Sequence, residues 1–336
     1  MLSHEVGSLL KRLRKQKGIT QLELAHSCGV DPATISKIEN GKSSPNRETV
    51  LALFQKLGFD TNGTINFFFT EEEAEFENAK NKMNRLMYLN DIPELNAMIE
   101  YFEQNEKLMS DRLVKQYIIH MRAMSLIKEV ENESLEKFDK ATLSSEEMEK
   151  ARKETPLSQD TKNKQDNIDE LLYESIKITI PSFNLEELDE YYLSVVELRI
   201  VNMLAVQYHR RNEHDRAIEL YIAISKGLER EIDPNQRGGR YPTIVSSLAK
   251  ILIEKSRFKE AIEYCDLGIK TSIETTRLHL VPTLLYHKAD ALYQSGNAEE
   301  AQEQIRRAYW MAKAVEVPNV VSASVAFCDA RDDISL

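Results

Sequence analysis

The chain of 336 residues is 42% hydrophobic and 29% charged, and its formal net charge at pH 7 is −11. This length has room for two or three domains, and the composition is that of a globular protein with a sizeable core. The acidic total excludes a protein that coats nucleic acid indiscriminately, although residues 1–70 carry a net +3 and the remainder carries −14. We therefore expect contact with phosphate groups to be confined to the N-terminal region.

The three cysteines, Cys28, Cys265 and Cys328, are scattered and odd in number. This pattern argues against a disulfide framework or a zinc site built on cysteines. No apolar run approaches the length of a bilayer, and the first residues alternate apolar and basic groups at helical spacing instead of forming a secretory signal. These features predict a cytoplasmic protein with no membrane association.

Two short helices crossed at a fixed angle are predicted between two flanking helices, over residues 3–16 and 47–57. Thr20 and Glu23 have the spacing of a capping box at the start of the first short helix. Gly29 can end that helix in a left-handed conformation. Asp31 can cap the second one with a proline at its first position. The pattern predicts a helix-turn-helix.

The second short helix presents an outward face of small, hydroxyl and basic side chains. Such a face suits the DNA major groove, which admits an α-helix and exposes base edges and phosphates to it. We therefore predict that this helix binds DNA. Its outward residues are Pro32, Ala33, Thr34, Ser36 and Lys37.

The Thr-Gln pair at 20–21 and the Glu-Asn-Gly triplet at 39–41 resemble the Xre and phage-repressor family. The resemblance implies phosphate contacts from Gln21, Asn40 and Lys42. It places Pro32, Ala33, Thr34 and Lys37 at base-facing positions, where the family often has glutamines, so the preferred operator sequence does not transfer. It also implies an internal ion pair between Arg14 and Glu39.

Residues 59–72 are predicted to form a linker, because a turn at Asn62-Gly63 is followed by Phe67, Phe68 and Phe69. The phenylalanines are interpreted as packing between domains, with stacking on a nucleic-acid base as the alternative. From residue 71 onward the composition predicts helices, about three of them over 71–128. The charged stretch 129–167 is interpreted as a mobile loop or a solvent-facing hairpin.

The C-terminal third contains an internal repeat of helical hairpins. Three pairs of alanines, each 12 residues apart, recur at offsets of 44 and 40 residues, and each pair encloses a polar turn. Such hairpins must stack to bury their apolar faces, which predicts a solenoid with a concave side. The repeat resembles the tetratricopeptide repeat, with a longer period. The alanines are Ala205 and Ala217, Ala249 and Ala261, and Ala289 and Ala301.

In a tetratricopeptide-like stack the first helix of each hairpin lines the concave side. Counting from the first alanine of each pair selects a mixture of amide, hydroxyl, aromatic and charged side chains, which suits an extended peptide. The alternative is that they form only the polar face of the solenoid. The predicted peptide-binding residues are Arg199, Asn202, Val206, His209, Thr243, Ser246, Lys250, Ile253, Thr283, Tyr286, Asp290 and Tyr293.

The sequence shows no phosphate-binding glycine loop, zinc-protease signature or nucleophile elbow. Gly238 and Gly239 are interpreted as a flexible connection between the first two repeats, and the seven histidines show no ligand spacing. We therefore predict a protein that is not an enzyme and that needs no cofactor or metal.

These observations together predict an all-α protein. A lambda-repressor-like helix-turn-helix bundle over 1–58 and a linker over 59–72 precede a tetratricopeptide-like α-solenoid over 73–336, which serves sensing and dimerisation. This order is similar to the peptide-sensing regulators of the PlcR, Rgg, NprR and PrgX family. The resemblance implies a homodimer that binds a roughly palindromic double-stranded DNA operator and holds a short signalling peptide in the concave face.

Two other functions are compatible with the sequence. The first is a phage- or antitoxin-type repressor whose repeats bind a protein partner, with no peptide ligand. The second is a scaffold whose N-terminal domain has lost its affinity for DNA.

Overall fold

The computed structural model describes residues 3–43, 45–59, 71–135, 159–229, 234–331 and 333–336. Within these ranges the regular secondary structure is helical and contains no strand, which confirms the predicted all-α class. Phe67, Phe68 and Phe69, with most of the predicted linker, lie outside the described residues, as does the central part of the charged stretch, 136–158.

Four helices form the N-terminal bundle, and their bounds confirm the predicted helix-turn-helix. The Thr20 hydroxyl accepts a hydrogen bond from the backbone amide of Glu23, and the Glu23 carboxylate accepts one from the backbone amide of Thr20. Asp31 caps the next helix, and Gly29 has a φ of 63°. The helices are α1 (Ser3–Gln16), α2 (Gln21–Ser27), α3 (Pro32–Glu39) and α4 (Arg47–Lys56).

The helices over residues 71–135 share a second core, in which the rings of Phe76, Phe102 and Tyr117 meet edge to face, with centroids 5.5 and 5.7 Å from Phe76. These helices are α5 (Glu71–Leu89), α6 (Ile92–Glu103), α7 (Glu106–Met109) and α8 (Arg112–Leu135). They are followed by α9 (Gln159–Thr179), which packs along α8, and by a 3-10 helix (Leu185–Glu190).

The predicted repeat is present as three successive helical hairpins. All six alanines that defined it are 0% exposed, because each lies where two helices approach closely. The hairpins are α10 (Val195–Arg210) with α11 (His214–Glu229), α12 (Pro234–Glu254) with α13 (Phe258–Glu274), and α14 (Val281–Gln294) with α15 (Ala298–Ala314), and α16 (Pro318–Asp329) follows.

The turn inside each hairpin uses the same backbone motif. Asn212, Ser256 and Gly296 have φ values of 62°, 57° and 91° and follow the first alanine of their pairs at the same interval. In each hairpin the next amide donates back to a carbonyl five residues earlier, as Glu213 does to Tyr208 at 2.9 Å. This geometry closes the first helix and directs the chain into the second.

Gly238 and Gly239 do not form a flexible connection, and that interpretation was wrong. Both lie inside α12, which begins at Pro234 and contains Pro242. A proline within a helix crowds the carbonyl four residues before it, which here belongs to Gly238. The later part of the helix is buried, with Val245 at 0% exposure, so tertiary packing outweighs the low helix propensity of glycine.

The C-terminal tail covers the end of the last hairpin. Phe327 of α16 and Ile334 are buried in one cluster with Ile305 of α15. Gln302 and Arg306 donate hydrogen bonds to Ser335. A repeat array needs such a covering element, because its terminal hairpin otherwise exposes an apolar face.

The described chain divides into two compact units. One comprises residues 1–184 and 191–203, and the other comprises 185–190 and 204–336. The helix-turn-helix therefore belongs to the same unit as the helices that follow it. The predicted domain limits at 58 and 72 remain a prediction.

The shared turn predicts opposite effects of two substitutions at equivalent positions. Gly296→Ala should destabilise the chain by about 1 kcal/mol, since the left-handed conformation disfavours a Cβ, although no atom lies within 4 Å of it. Ser256→Gly should stabilise it by about 0.5 kcal/mol. The steric cost of a Cβ in the left-handed conformation is removed, and this gain exceeds the conformational entropy that glycine loses on folding. Urea unfolding of the full chain measures the free energy of unfolding of both variants. If that free energy changes in the same direction in both, the left-handed conformation does not carry the proposed cost.

Candidate functional site

The structure places the residues predicted to bind DNA on the outer side of α3 and its end. Ile35 and Ile38 point into the core, whereas Ala33, Lys37 and Lys42 are exposed and Pro32, Thr34 and Ser36 are half-buried. Two lysines and two hydroxyl groups therefore share one accessible surface. DNA contact by these residues remains a prediction.

Gln21 and Asn40, predicted to contact phosphates, also make hydrogen bonds within the bundle. The Gln21 amide donates to Glu39 at 2.8 Å, and the Asn40 amide donates to the Ser36 carbonyl at 2.8 Å. An amide group has two N–H donors, so these bonds orient the side chains and leave a phosphate contact chemically possible.

The predicted ion pair between Arg14 and Glu39 is confirmed. It is bidentate, with Nε and Nη2 of Arg14 at 2.5 and 2.9 Å from the two carboxylate oxygens. Burial alone would raise the pKa of Glu39, but hydrogen bonds from Arg14 and Gln21 hold that pKa below its usual value. The pair fixes α1 against α3 and takes no part in the outward surface.

A second ion pair, which the sequence did not predict, involves Lys17 at the end of α1. Lys17 is only 1% exposed, and its ammonium group donates to the carboxylate of Glu197 in α10. The Thr179 hydroxyl donates to the same carboxylate at 2.5 Å, and the Ser194 amide also donates to it, at 2.8 Å. Burial would raise the pKa of Glu197, but Lys17 and these donors lower it.

Further contacts surround this pair. The Gln16 side chain donates to the Tyr192 carbonyl at 2.9 Å and accepts from the Tyr192 amide at 3.2 Å. The Arg12 guanidinium lies 5.0 Å from the centre of the Tyr192 ring. The end of α1 is therefore held against the segment that leads into α10.

The twelve predicted peptide-binding residues lie on the first helices of the three hairpins. On α10, α12 and α14 they recur at steps of three and four, so each group shares one helical face, and α12 and α14 are neighbours. Ten of the twelve are at least partly accessible. Ser246 and Ile253, only 8% and 6% exposed, lie in the interior in this structure. Peptide contact remains a prediction.

Three residues of the α14 group already have contacts with the C-terminal segment. The rings of Tyr286 and Tyr293 each lie 5.9 Å from that of Phe327. The Arg331 guanidinium lies 4.6 Å from the Tyr293 ring centre and 3.7 Å from the Asp290 carboxylate. A ligand at this part of the face would meet side chains held in place by α16 and the residues after it.

The sequence showed no ligand spacing among the histidines, but the structure brings two of them together. Nδ1 of His209 lies 3.1 Å from Nδ1 of His214. The Glu254 carboxylate lies 3.7 Å from Nε2 of His209 and 3.9 Å from Nδ1 of His214. No pattern in the sequence marks this cluster, because its third member, Glu254, comes from the next hairpin.

Comparison with known proteins matches both ends of the chain. Residues 10–62 match the family model described as Helix-turn-helix, and residues 162–318 match the one described as RNPP family C-terminal domain. No curated protein sequence matches the chain.

Two solved structures have a similar fold. Bacillus thuringiensis PlcR in complex with the peptide PapR7 and DNA gives a TM-score of 0.53 at 17% identity, covering 96% of this chain and 99% of that chain. The apo form of the same protein gives 0.52 at 16% identity, covering 96% and 98%. At these identities the likeness shows the fold alone.

The buried pair predicts strong coupling between Lys17 and Glu197 in stability. Glu197→Gln should cost about 3–5 kcal/mol, because it leaves a buried ammonium group without its counter-charge. The double variant Lys17→Met with Glu197→Gln should recover part of that loss. Urea unfolding measures the cycle, with Lys15→Met, at an exposed lysine of α1, as the matched control. A double variant no more stable than Glu197→Gln would refute the coupling.

Proposed function

We propose that the chain is a DNA-binding transcription regulator controlled by a short signalling peptide, because a helix-turn-helix over residues 10–62 precedes a region, 162–318, that matches the C-terminal domain of the RNPP family. The observation that carries the proposal is the presence of both domains in one chain. PlcR, which shares the fold, has been solved with a peptide and DNA.

The DNA-binding surface is the outward side of α3. Thr34 and Lys37 face base edges, and Gln21, Asn40 and Lys42 contact phosphates, which position the protein without reading sequence. The protein acts as a homodimer on a roughly palindromic operator, with half-sites about 34 Å, or a multiple of that, apart. The modest chemistry of the base-facing residues makes DNA shape and half-site spacing part of recognition.

The peptide binds along the first helices of the hairpins. Backbone groups of an extended peptide pair with side chains such as Asn202 and Lys250, and its side chains pack against Tyr286 and Tyr293. The face carries both hydrogen-bonding and aromatic groups, and these match the two kinds of surface that a peptide presents.

Helix α10 supplies the connection between ligand and DNA-binding domain. It holds Lys17 through Glu197 near its start, and it presents Asn202, Val206 and His209 further along. A peptide can change DNA binding only if it binds two states of the protein with different affinity. A peptide that contacts α10 can therefore act on the helix that carries Glu197.

The protein works in the cytoplasm, where an operator and a re-imported peptide meet, and it needs no catalytic activity for this role. No helix in the described ranges is long and apolar enough to cross a membrane. The domain limits proposed from the sequence, 1–58, 59–72 and 73–336, assign DNA contact to the first part and peptide binding with dimerisation to the last.

Alanine substitutions on α3 should separate base reading from phosphate contact. Thr34→Ala with Lys37→Ala should reduce the preference for the operator over unrelated DNA by about tenfold, within the range of base contacts. Lys42→Ala should weaken binding to both DNAs and lower the salt slope by about 1. Fluorescence anisotropy at several salt concentrations measures this on a fragment isolated by genomic pull-out.

Lys259→Ala, an exposed lysine on α13, is the matched control and should bind DNA as the wild type does. Unchanged operator preference in the α3 double variant would remove Thr34 and Lys37 from the recognition surface. If the protein shows no salt-dependent binding to any promoter fragment, the result would favour a scaffold that has lost its affinity for DNA.

The peptide should change operator affinity, oligomeric state or promoter output. The probe is the peptide fraction of the host culture supernatant, and the same fraction digested with protease is its control. Asn202→Ala and Lys250→Ala should reduce the response because both remove donors from the predicted face. An identical response to both fractions in all three measurements would overturn peptide control and favour a protein partner.

A further inference from the structure

We propose that His209, His214 and Glu254 form a binding site for a divalent transition-metal cation of the zinc class. The three residues each offer one ligand atom, and those atoms lie within 4.8 Å of one another. This site does not depend on the proposed regulatory function.

The distances between the ligand atoms fit one small cation. Zinc bonds of about 2.0–2.2 Å at tetrahedral angles place neighbouring ligands roughly 3.3–3.5 Å apart. The Nδ1 atoms of His209 and His214 are 3.1 Å apart, and the Glu254 carboxylate lies 3.9 Å from Nδ1 of His214 and 3.7 Å from Nε2 of His209. One cation takes a single nitrogen of His209, and one ligand atom of each residue lies within 4.8 Å of the other two. Rotation of the His209 ring and of the Glu254 side chain would therefore bring the three ligand atoms to the expected spacing.

The carboxylate distances are too long for hydrogen bonds to the imidazoles. A cation at the centre would attract all three groups at once, since two neutral imidazoles and one carboxylate supply lone pairs and a single negative charge. Two nitrogen ligands with one oxygen favour zinc or a similar transition metal over magnesium and calcium, which prefer oxygen ligands.

The fold holds the two histidines in place before any cation binds. His209 lies in the last turn of α10 and His214 begins α11, and the turn between them is closed by the Glu213 amide and the left-handed Asn212. Glu254 is the last residue of α12. The carboxyl ends of α10 and α12 therefore meet at the cluster, and their partial negative charge favours a cation.

The cluster is accessible from solvent. The side chains of His209 and His214 are 13% and 18% exposed, and that of Glu254 is 30% exposed. Three protein ligands leave a fourth position for water or for a group of a bound molecule. A bound cation would join the first hairpin to the first helix of the second and so restrict movement between them.

The test is zinc binding by the full chain, stripped with a chelator and desalted, in competition with a chromogenic zinc indicator. One zinc ion should bind per chain. His214→Ala and the conservative Glu254→Gln should each weaken binding by at least about tenfold, because loss of a ligand exceeds the effect of losing its outer partners. His279→Ala, an exposed histidine elsewhere, should bind as the wild type does.

Thermal unfolding with and without zinc gives a second readout. Zinc should raise the midpoint of the wild type and of His279→Ala but not that of Glu254→Gln, while magnesium should not compete. Stoichiometry and affinity that are unchanged in both cluster variants would mean adventitious zinc binding and would overturn the proposal, as would a wild type that binds no zinc at micromolar concentration.

Discussion

The buried ion pair between Lys17 and Glu197 determines how the DNA-binding helices are held. Two charges in the interior are costly, and the cost is offset only when both are paired and hydrogen-bonded. Here the carboxylate accepts from Lys17, Thr179 and the Ser194 amide together. The arrangement is satisfied only when the end of α1, the end of α9 and the start of α10 meet in one position, so it selects that position over other ways of packing the same apolar surfaces.

The parts that the sequence predicted well are those decided by neighbouring residues. Thr20, Gly29 and Asp31 determine where α2 and α3 begin and end through their own caps and backbone preferences, and the structure agrees. The repeated alanines carry long-range information because only a small side chain allows two helices to approach closely. The left-handed residues, such as Ser256, recur in register with those alanines although their chemistry varies, so composition alone conceals them.

The parts that the sequence did not predict depend on residues far apart in the chain. Nothing near Lys17 in the sequence distinguishes it from Lys15, which is exposed, because its partner lies 180 residues away. His209 and Glu254 meet only because successive hairpins stack. Gly238 shows the reverse case, in which a local signal for flexibility is overruled by the packing of α12. Local chemistry thus predicts elements, whereas paired charges and ligand clusters require the assembled fold.

Helix α10 carries three of the features described above along its length. At 1.5 Å per residue, Glu197 and His209 are separated by about 18 Å along it, with Asn202 and Val206 between them. A buried charge that loses its partner costs about 3–5 kcal/mol. A peptide that drew Lys17 away while the Glu197 carboxylate stayed buried would face a cost of this kind and would need roughly 10²–10⁴-fold tighter binding to that state. A peptide that leaves the pair intact does not have to offset this cost, although it still needs different affinities for the two states that it connects. In the proposed homodimer, the pair thus favours control through the placement of the two DNA-binding domains over their release from α10.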